Sequence, residues 1–309
     1  MALAEPEVSK HTAKSAADHR YVESGAIVPT SALPDHLPDP SRSAGPLTPA
    51  GEGEIIAMIG EGDLPIIMVN ALCDAFGHVT VIREQKQPTA DMVRRRVRLL
   101  GPISTFGQIA FGVALKRLHR RAAPRKAELL ARHALETTLP AADRVSLHDV
   151  ETINDPACAE LITALAPKAI AVIGTRMIRH ATLDAAAAVG APIINYHAGL
   201  NPTYRGMNGG YWAIASGDPA GAGVTVHLVD RGVDTGAALY WQRFPVEPGD
   251  TFVTYPLQQA AVGRDLLVAA IDDARSGTLA PRDVPLASHQ WFHPTLWGYL
   301  WTGVRKGVW

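Results

Sequence analysis

An amide and an imidazole stand two residues apart in NYHAGLNPTYRG, residues 195–206, at the end of the apolar run APII. In a strand, residues i and i+2 point the same way, so Asn195 and His197 share one side and Tyr196 takes the other. An Asn amide offers N–H donors to a developing oxyanion. An imidazole can donate to the same oxygen when protonated, or shuttle a proton. Such a pair wants a carboxylate to hold the ring and raise its pKa, and the later segment VDRGVDTG offers Asp230 and Asp234. Taken singly, Asn195 and His197 read as strand-end caps, and Asp234 as a turn residue beside Gly236. Together they read as an acyl-transfer site. The loop after His197 breaks into glycine and proline and carries Tyr204 and Arg205, which are expected on the acceptor side.

Other motifs carry less. MIGEGDL has the form of a strand-to-helix turn, where backbone N–H groups could hold an anion. It contains Gly60 and Gly62 but lacks the third glycine of the dinucleotide fingerprint. Glu61 and Asp63 would repel a phosphate, so an ordinary tight turn is an equal reading. Gly60 and Gly62 are expected to touch an acceptor rather than a nicotinamide. His289 and His293 in HQWFH have a helical i,i+4 spacing, but Gln290 stands where a metalloprotease needs Glu. They read as tail residues, and no metal is expected. There is neither a Walker loop nor a G-x-S-x-G elbow.

The elements that must position this chemistry alternate. EIIAMIG reads as a strand, EGDLPIIMVNALCDAFG as a helix with Asp63 as N-cap and Pro65 in its first turn, and HVTVIRE as a strand. RVSLHDV, PACAELITALAP, KAIAVIG, ATLDAAAAVG and APIINYH continue the series as strand, helix, strand, helix, strand. That pattern predicts a doubly wound, mostly parallel Rossmann-like α/β sheet covered on both faces. Asn195 and His197 then stand at the carboxyl end of a strand, where open α/β sheets place ligands. GGYWAIASG reads as a short helix, GVTVHLVDRGVDTGAALYWQRFPV as a hairpin, and TFVTYPLQQAAVGRDLLVAAIDDARSG as a long closing helix.

Three segments stand outside the series. Residues 1–53, rich in Ala, Pro, Ser and acids, are expected to be disordered or loosely packed before the catalytic domain, 54–280. Residues 87–140 form a basic helical insertion, with twelve Lys/Arg against two acids between Lys86 and Arg132. Within it, LLGPISTFGQIAFGVAL (99–115) is uncharged. It reads first as a buried helix or helical hairpin, and second as an interfacial helix making peripheral membrane contact. The tail, 281–309, holds four of the six tryptophans and reads first as a packed flap or a subunit contact in a homodimer, and second as a membrane-interface anchor.

With 309 residues, 47% hydrophobic and 19% charged, the chain can bury a sizeable core, and a net charge of −1 argues against coating nucleic acid. Cys73 and Cys158 offer no disulfide framework, and the N-terminus has no apolar signal region, so a cytoplasmic location is expected.

N-x-H, a proline loop ending in Tyr-Arg-Gly, a W-A-I helix and GVTVHLVDRGVDTG together resemble the catalytic core of folate-dependent formyltransferases. These include the glycinamide ribonucleotide, methionyl-tRNA and amino-sugar enzymes. The resemblance is strong from about Lys168 to Asp250, weaker in the first βαβ unit, and absent from both tails and the insertion. It implies the formyltransferase fold and a catalytic triad of Asn195, His197 and Asp234. It also implies formyltetrahydrofolate as co-substrate, its pterin bound by backbone groups around Arg176, Met177 and Ile178 and around Val229, Asp230 and Val233. Two departures stand out. The family's His-Pro-Ser is here His197-Ala198-Gly199, and its Leu-Pro is Asn201-Pro202. No tRNA-binding barrel is recognisable, which counts against methionyl-tRNA as acceptor. A small-molecule primary amine is expected, with formyltetrahydrofolate deformylase or a non-catalytic folate-binding relative as alternatives.

Overall fold

The computed structural model describes residues 28–37 and 47–309. Five strands run parallel: β2 (Ile55–Ile59), β3 (Val79–Glu84), β4 (Val145–Val150), β5 (Ala169–Ile173) and β6 (Ile193–His197). Three more close one edge in antiparallel pairing: β8 (Gly223–Leu228), β9 (Ala238–Arg243) and the short β1 (His36–Leu37). The strand order is β1-β9-β8-β6-β5-β2-β3-β4. This is the doubly wound, mostly parallel α/β architecture expected.

Period-2 alternation distributes β2 between two layers. Ile55, Ala57 and Ile59 pack with α1 (Asp63–Phe76) and the long helix α7 (Tyr255–Ser276). Ile56 and Met58 face α4 (Pro156–Leu165) and α5 (His180–Ala188) instead. β2 and β5 are therefore apolar on both sides, as parallel strands covered by helices must be. The chain runs from β2 out to β4, then returns to β5 on the other side of β2, leaving the topological switch between β2 and β5. The turns leaving these two strands nearly touch: a Cβ on Gly60 would lie 2.2 Å from the Gly174 carbonyl oxygen. Gly60 is thus needed for close approach of two backbones. Gly62, at φ 116, is the cap of α1, so Asp63 is its first residue rather than the N-cap expected.

The insertion is helical, as α2 (Thr89–Arg121) and α3 (Ala123–Arg132). α2 breaks at Gly101 (φ 80), just before Pro102, whose ring cannot follow a helical turn. Residues 99–115 are not the buried helix expected: only Thr105, Gly107, Gln108 and Phe111 are buried along α2. α3 is clamped to the body by Arg125, which pairs with Glu128, Glu247 and the fully buried Asp250 carboxylate.

The aromatic tail forms β10 (Gln290–Trp291), parallel to β7 (Arg205–Gly206), and α8 (Leu296–Lys306). Phe111 of α2 sits 4.9 Å from both the Phe252 and Tyr299 rings, joining insertion, body and tail in one aromatic cluster. Of the segment expected to be loose, residues 28–37 pack instead. The Arg243 guanidinium donates to the carbonyls of Thr30 and Leu33 and pairs with Asp35, and Leu33 enters the core. The remainder of 1–46 lies outside the described residues.

Candidate active site

β6 ends in the amide and imidazole, and antiparallel β8 lies beside it with Asn195 opposite His227 and His197 opposite Thr225. The loop after β8 returns Asp234, in a left-handed conformation (φ 52), to the same spot. Asn195, His197, His227 and Asp234 therefore form one cluster, all lining a cavity of about 550 Å³.

Hydrogen-bond geometry fixes most of the protons. His227 Nδ1 lies 2.8 Å from the Leu228 carbonyl oxygen, so that nitrogen must carry the hydrogen. Nε2 is then an acceptor, and the Asn195 amide donates to it at 3.0 Å. The same NH2 group donates to Asp234 Oδ1 at 3.2 Å. Asn195 is thereby oriented with its nitrogen toward the cluster, an assignment made by the network.

His197 Nε2 lies 2.8 Å from the Tyr204 carbonyl oxygen and donates to it. Its Nδ1 stands 3.4 Å from Asp234 Oδ2, too long for a formed hydrogen bond. Burial pushes the His197 imidazole below its ordinary value, against the upward pull of Asp234 and the Tyr204 carbonyl. The resting ring is neutral, with Nδ1 open for a proton. Burial alone would raise the Asp234 carboxyl, but the Gly206 N–H donates to it and positive charge on His197 or His227 favours its ionised form, so it is held well below the usual carboxylate range. Gly199 makes room for this ring: a Cβ there would meet the Tyr204 oxygen at 2.3 Å and His197 Nε2 at 2.6 Å.

The segments expected to bind cofactor also line the cavity: Arg176, Met177 and Ile178 on one side, Val229, Asp230 and Val233 on another. The Arg176 side chain is not free. It pairs with buried Glu84 at 2.8 Å and donates to Gln85 O, while its N–H donates to the same carboxylate. Main chain held stiff by Glu84 is what this segment offers a ligand.

Four expected acceptor contacts are placed otherwise. Tyr204 is buried, donating to Asp218 at 2.8 Å and stacked on Trp291. Buried Arg205 donates to the Val233 carbonyl and to Ser288, bracing the Asp234 loop. Neither lines the cavity, nor do Gly60 and Gly62, which shape the first turn. Instead, the far wall comes from segments with no motif: Met92, Arg95, Arg96, Leu99 and Leu100 of α2, and Trp291, Phe292 and His293 of the tail. His227 was also missed. Only the antiparallel register of β8 on β6 sets His227 across from Asn195, and no residue spacing marks that register. Among the described residues no cluster of His, Cys, Asp and Glu could hold a metal ion, and His289 and His293 lie on an extended stretch, not a helix.

Residues 120–271 match the family model described as formyl transferase. A methionyl-tRNA formyltransferase of Chlorobium chlorochromatii is 33% identical over 168 residues, covering 53% of this chain and 52% of its own length. That of Koribacter versatilis is 38% identical over 122 residues, covering 38% and 37%. The chain thus spans about half the length, or less, of these curated relatives. Among solved structures, a Mycobacterium tuberculosis protein described as a likely sugar N-formyltransferase aligns at TM-score 0.46 and 15% identity, over 77% of this chain and 74% of that one. Glycinamide ribonucleotide transformylase 1 of Symbiobacterium toebii aligns at 0.45 and 18%, over 75% and 96%.

Proposed function

We propose that this chain, whose residues 120–271 match the formyl transferase family model, moves a formyl group from formyltetrahydrofolate to a primary amine of a small molecule. One observation carries this reading: Asn195, His197 and Asp234 converge in a single cavity that the 176–178 and 229–233 segments also line. The cavity suits the co-substrate, since about 550 Å³ is the size of ligand sites and main chain on its walls can match the edge of a pterin. Formyltetrahydrofolate supplies an activated formyl carbon for attack by the neutral amine.

The residues of the chain handle the charges. As the carbonyl oxygen becomes negative, the Asn195 amide turns an N–H to it, giving up the longer of its two contacts, the one to Asp234. His197 takes the amine's proton at Nδ1. The resulting imidazolium then has a partner at each nitrogen: Asp234 at one, the Tyr204 carbonyl at the other. Asp234, kept ionised, is too weak a base to take the proton itself; it stabilises the charged ring. When the bond between the formyl carbon and the tetrahydrofolate nitrogen breaks, His197 gives its Nδ1 proton to that leaving nitrogen and is neutral again, and no step calls for a covalent bond to the protein.

Arg95 and Arg96 on the cavity wall favour an acceptor bearing negative charge, such as a phosphorylated or acidic amine. The free, buried Cys73 and Cys158, both pushed up to about 11 by burial, suit the cytoplasmic setting proposed. The test is to supply formyltetrahydrofolate with and without a panel of anionic amines and follow tetrahydrofolate. Amine-dependent release that Asp234→Ala abolishes is expected. Amine-independent release would make the protein a hydrolase.

A further inference from the structure

Helices that pack on a body present a polar face to water. α2 does not. Between Leu99 and Leu115 it carries no charge, yet Ile103 is 76% exposed and Phe106, Val113 and Leu99 are also mostly exposed. Ile103, Phe106 and Val113 recur at intervals of three and seven, on the side opposite the buried Thr105, Gln108 and Phe111. α8 repeats the pattern. Trp297, Leu300, Trp301 and Val304 (77% exposed) follow i, i+3, i+4, i+7, while Tyr299 and Gly303 turn inward. The two helices touch: the Trp297 ring fills the space against Gly107, and Gln108 donates to the His293 carbonyl. An exposed apolar helix face is unusual on a body bathed in water, and a paired face of this kind marks an interaction surface.

Charge identifies the occupant. Arg94, Arg95 and Arg98 precede the apolar run; Lys116, Arg117, Arg120 and Arg121 follow it. Among the described residues, only Arg94 of these seven has an ion-pair partner, Asp91. Arg305 lies over the exposed Trp301 ring. A second copy would bring two such cationic sets together, and like charges across an interface are costly. An anionic bilayer accepts the apolar face, the flanking cations and interfacial tryptophans together. α2 is long and apolar enough to cross a membrane, but Gln108 and Phe111 tie it to the body along its length.

The geometry points to a peripheral docking surface: the joined outer faces of α2 and α8 lie on an anionic lipid bilayer. Leu99, mostly exposed just before the Gly101 break, also lines the cavity, so the docking surface adjoins the cavity wall.

Binding is read independently of any activity. The whole protein is sedimented with vesicles of phosphatidylcholine plus phosphatidylglycerol, and with phosphatidylcholine alone. It is expected to pellet with the anionic vesicles, about tenfold or more weakly as Phe106→Ser/Val113→Ser or as Arg117→Glu/Arg120→Glu, each with an unchanged melting temperature. Wild-type protein left in the supernatant with anionic vesicles overturns the proposal, as does equal binding by both variants. A solution dimer dissolved by Phe106→Ser/Val113→Ser gives the face to a second copy and overturns it as well.

Discussion

His197 holds one fixed proton, at Nε2 against the Tyr204 carbonyl, and one empty place, at Nδ1 facing Asp234. If its neutral form is the working base, the acid limb that remains in kcat/KM once the acceptor amine's own titration is divided out lies below the ordinary value of 6.5, because burial lowers the ring. Asp234→Asn removes a charge that raises His197, so the acid limb moves lower still. An acid limb above 6.5 would contradict the assignment. His197→Ala should cut kcat by roughly 100- to 10,000-fold, the usual contribution of a positioned general base, with folate affinity little changed. His227→Leu leaves the Asn195 amide without the acceptor that sets its orientation. It should lower kcat by about tenfold or more while binding by titration stays near wild type. Asn195, His197 and Asp234 were legible because spacing along one strand and one loop brings their chemistry together. His227 was not, because its place depends on the register between two strands. Tyr204 and Arg205 misled for the opposite reason: polar residues next to a site look like contacts, yet their partners, Asp218 and Val233, come from other segments.

At the scale of elements, α2 has two apolar faces with different energetics. Phe111 is buried against Phe252 and Tyr299, so Phe111→Ala should cost about 3 kcal/mol in urea unfolding and loosen the tail. Phe106 is exposed, and Phe106→Ala should stay within about 0.5 kcal/mol. Equal costs would mean the helix packs differently. Its helicity was readable from composition and period. Which face it buries was not, since a run apolar all round offers no stripe to choose from. The tail packs through Trp291 and Tyr299, and its contribution of Phe292 and His293 to the cavity wall leaves no motif.

Across the whole molecule, the βα series was plain in the alternation of strands and helices, and the sheet follows it strand by strand. The far wall of the cavity is built from the insertion and the tail, which is why the segments carrying Asn195, His197 and Asp234 do not tell what fills it. That wall also carries a pH signature. Burial, with Arg96 nearby, pushes His293 down to about 4 from 6.5. Its Nδ1 accepts from the Asn208 amide at 3.0 Å, which suits a neutral ring. Between those values the unfolded chain binds a proton that the folded chain refuses, so stability falls as pH drops through that window. The loss is at most ~3 kcal/mol, reduced by the ring's partial exposure. Urea melts across the window should show it, and His293→Gln should flatten the slope; an unchanged slope would remove His293 as the cause. The central claim is that the cavity transfers a formyl group to an amine. It is tested most directly by supplying formyltetrahydrofolate and an anionic amine panel, then measuring tetrahydrofolate and formylated amine together. Equal amounts of both are expected, absent without amine and lost in His197→Ala and Asp234→Ala. Tetrahydrofolate released without formylated amine, or unaffected by those substitutions, would contradict it.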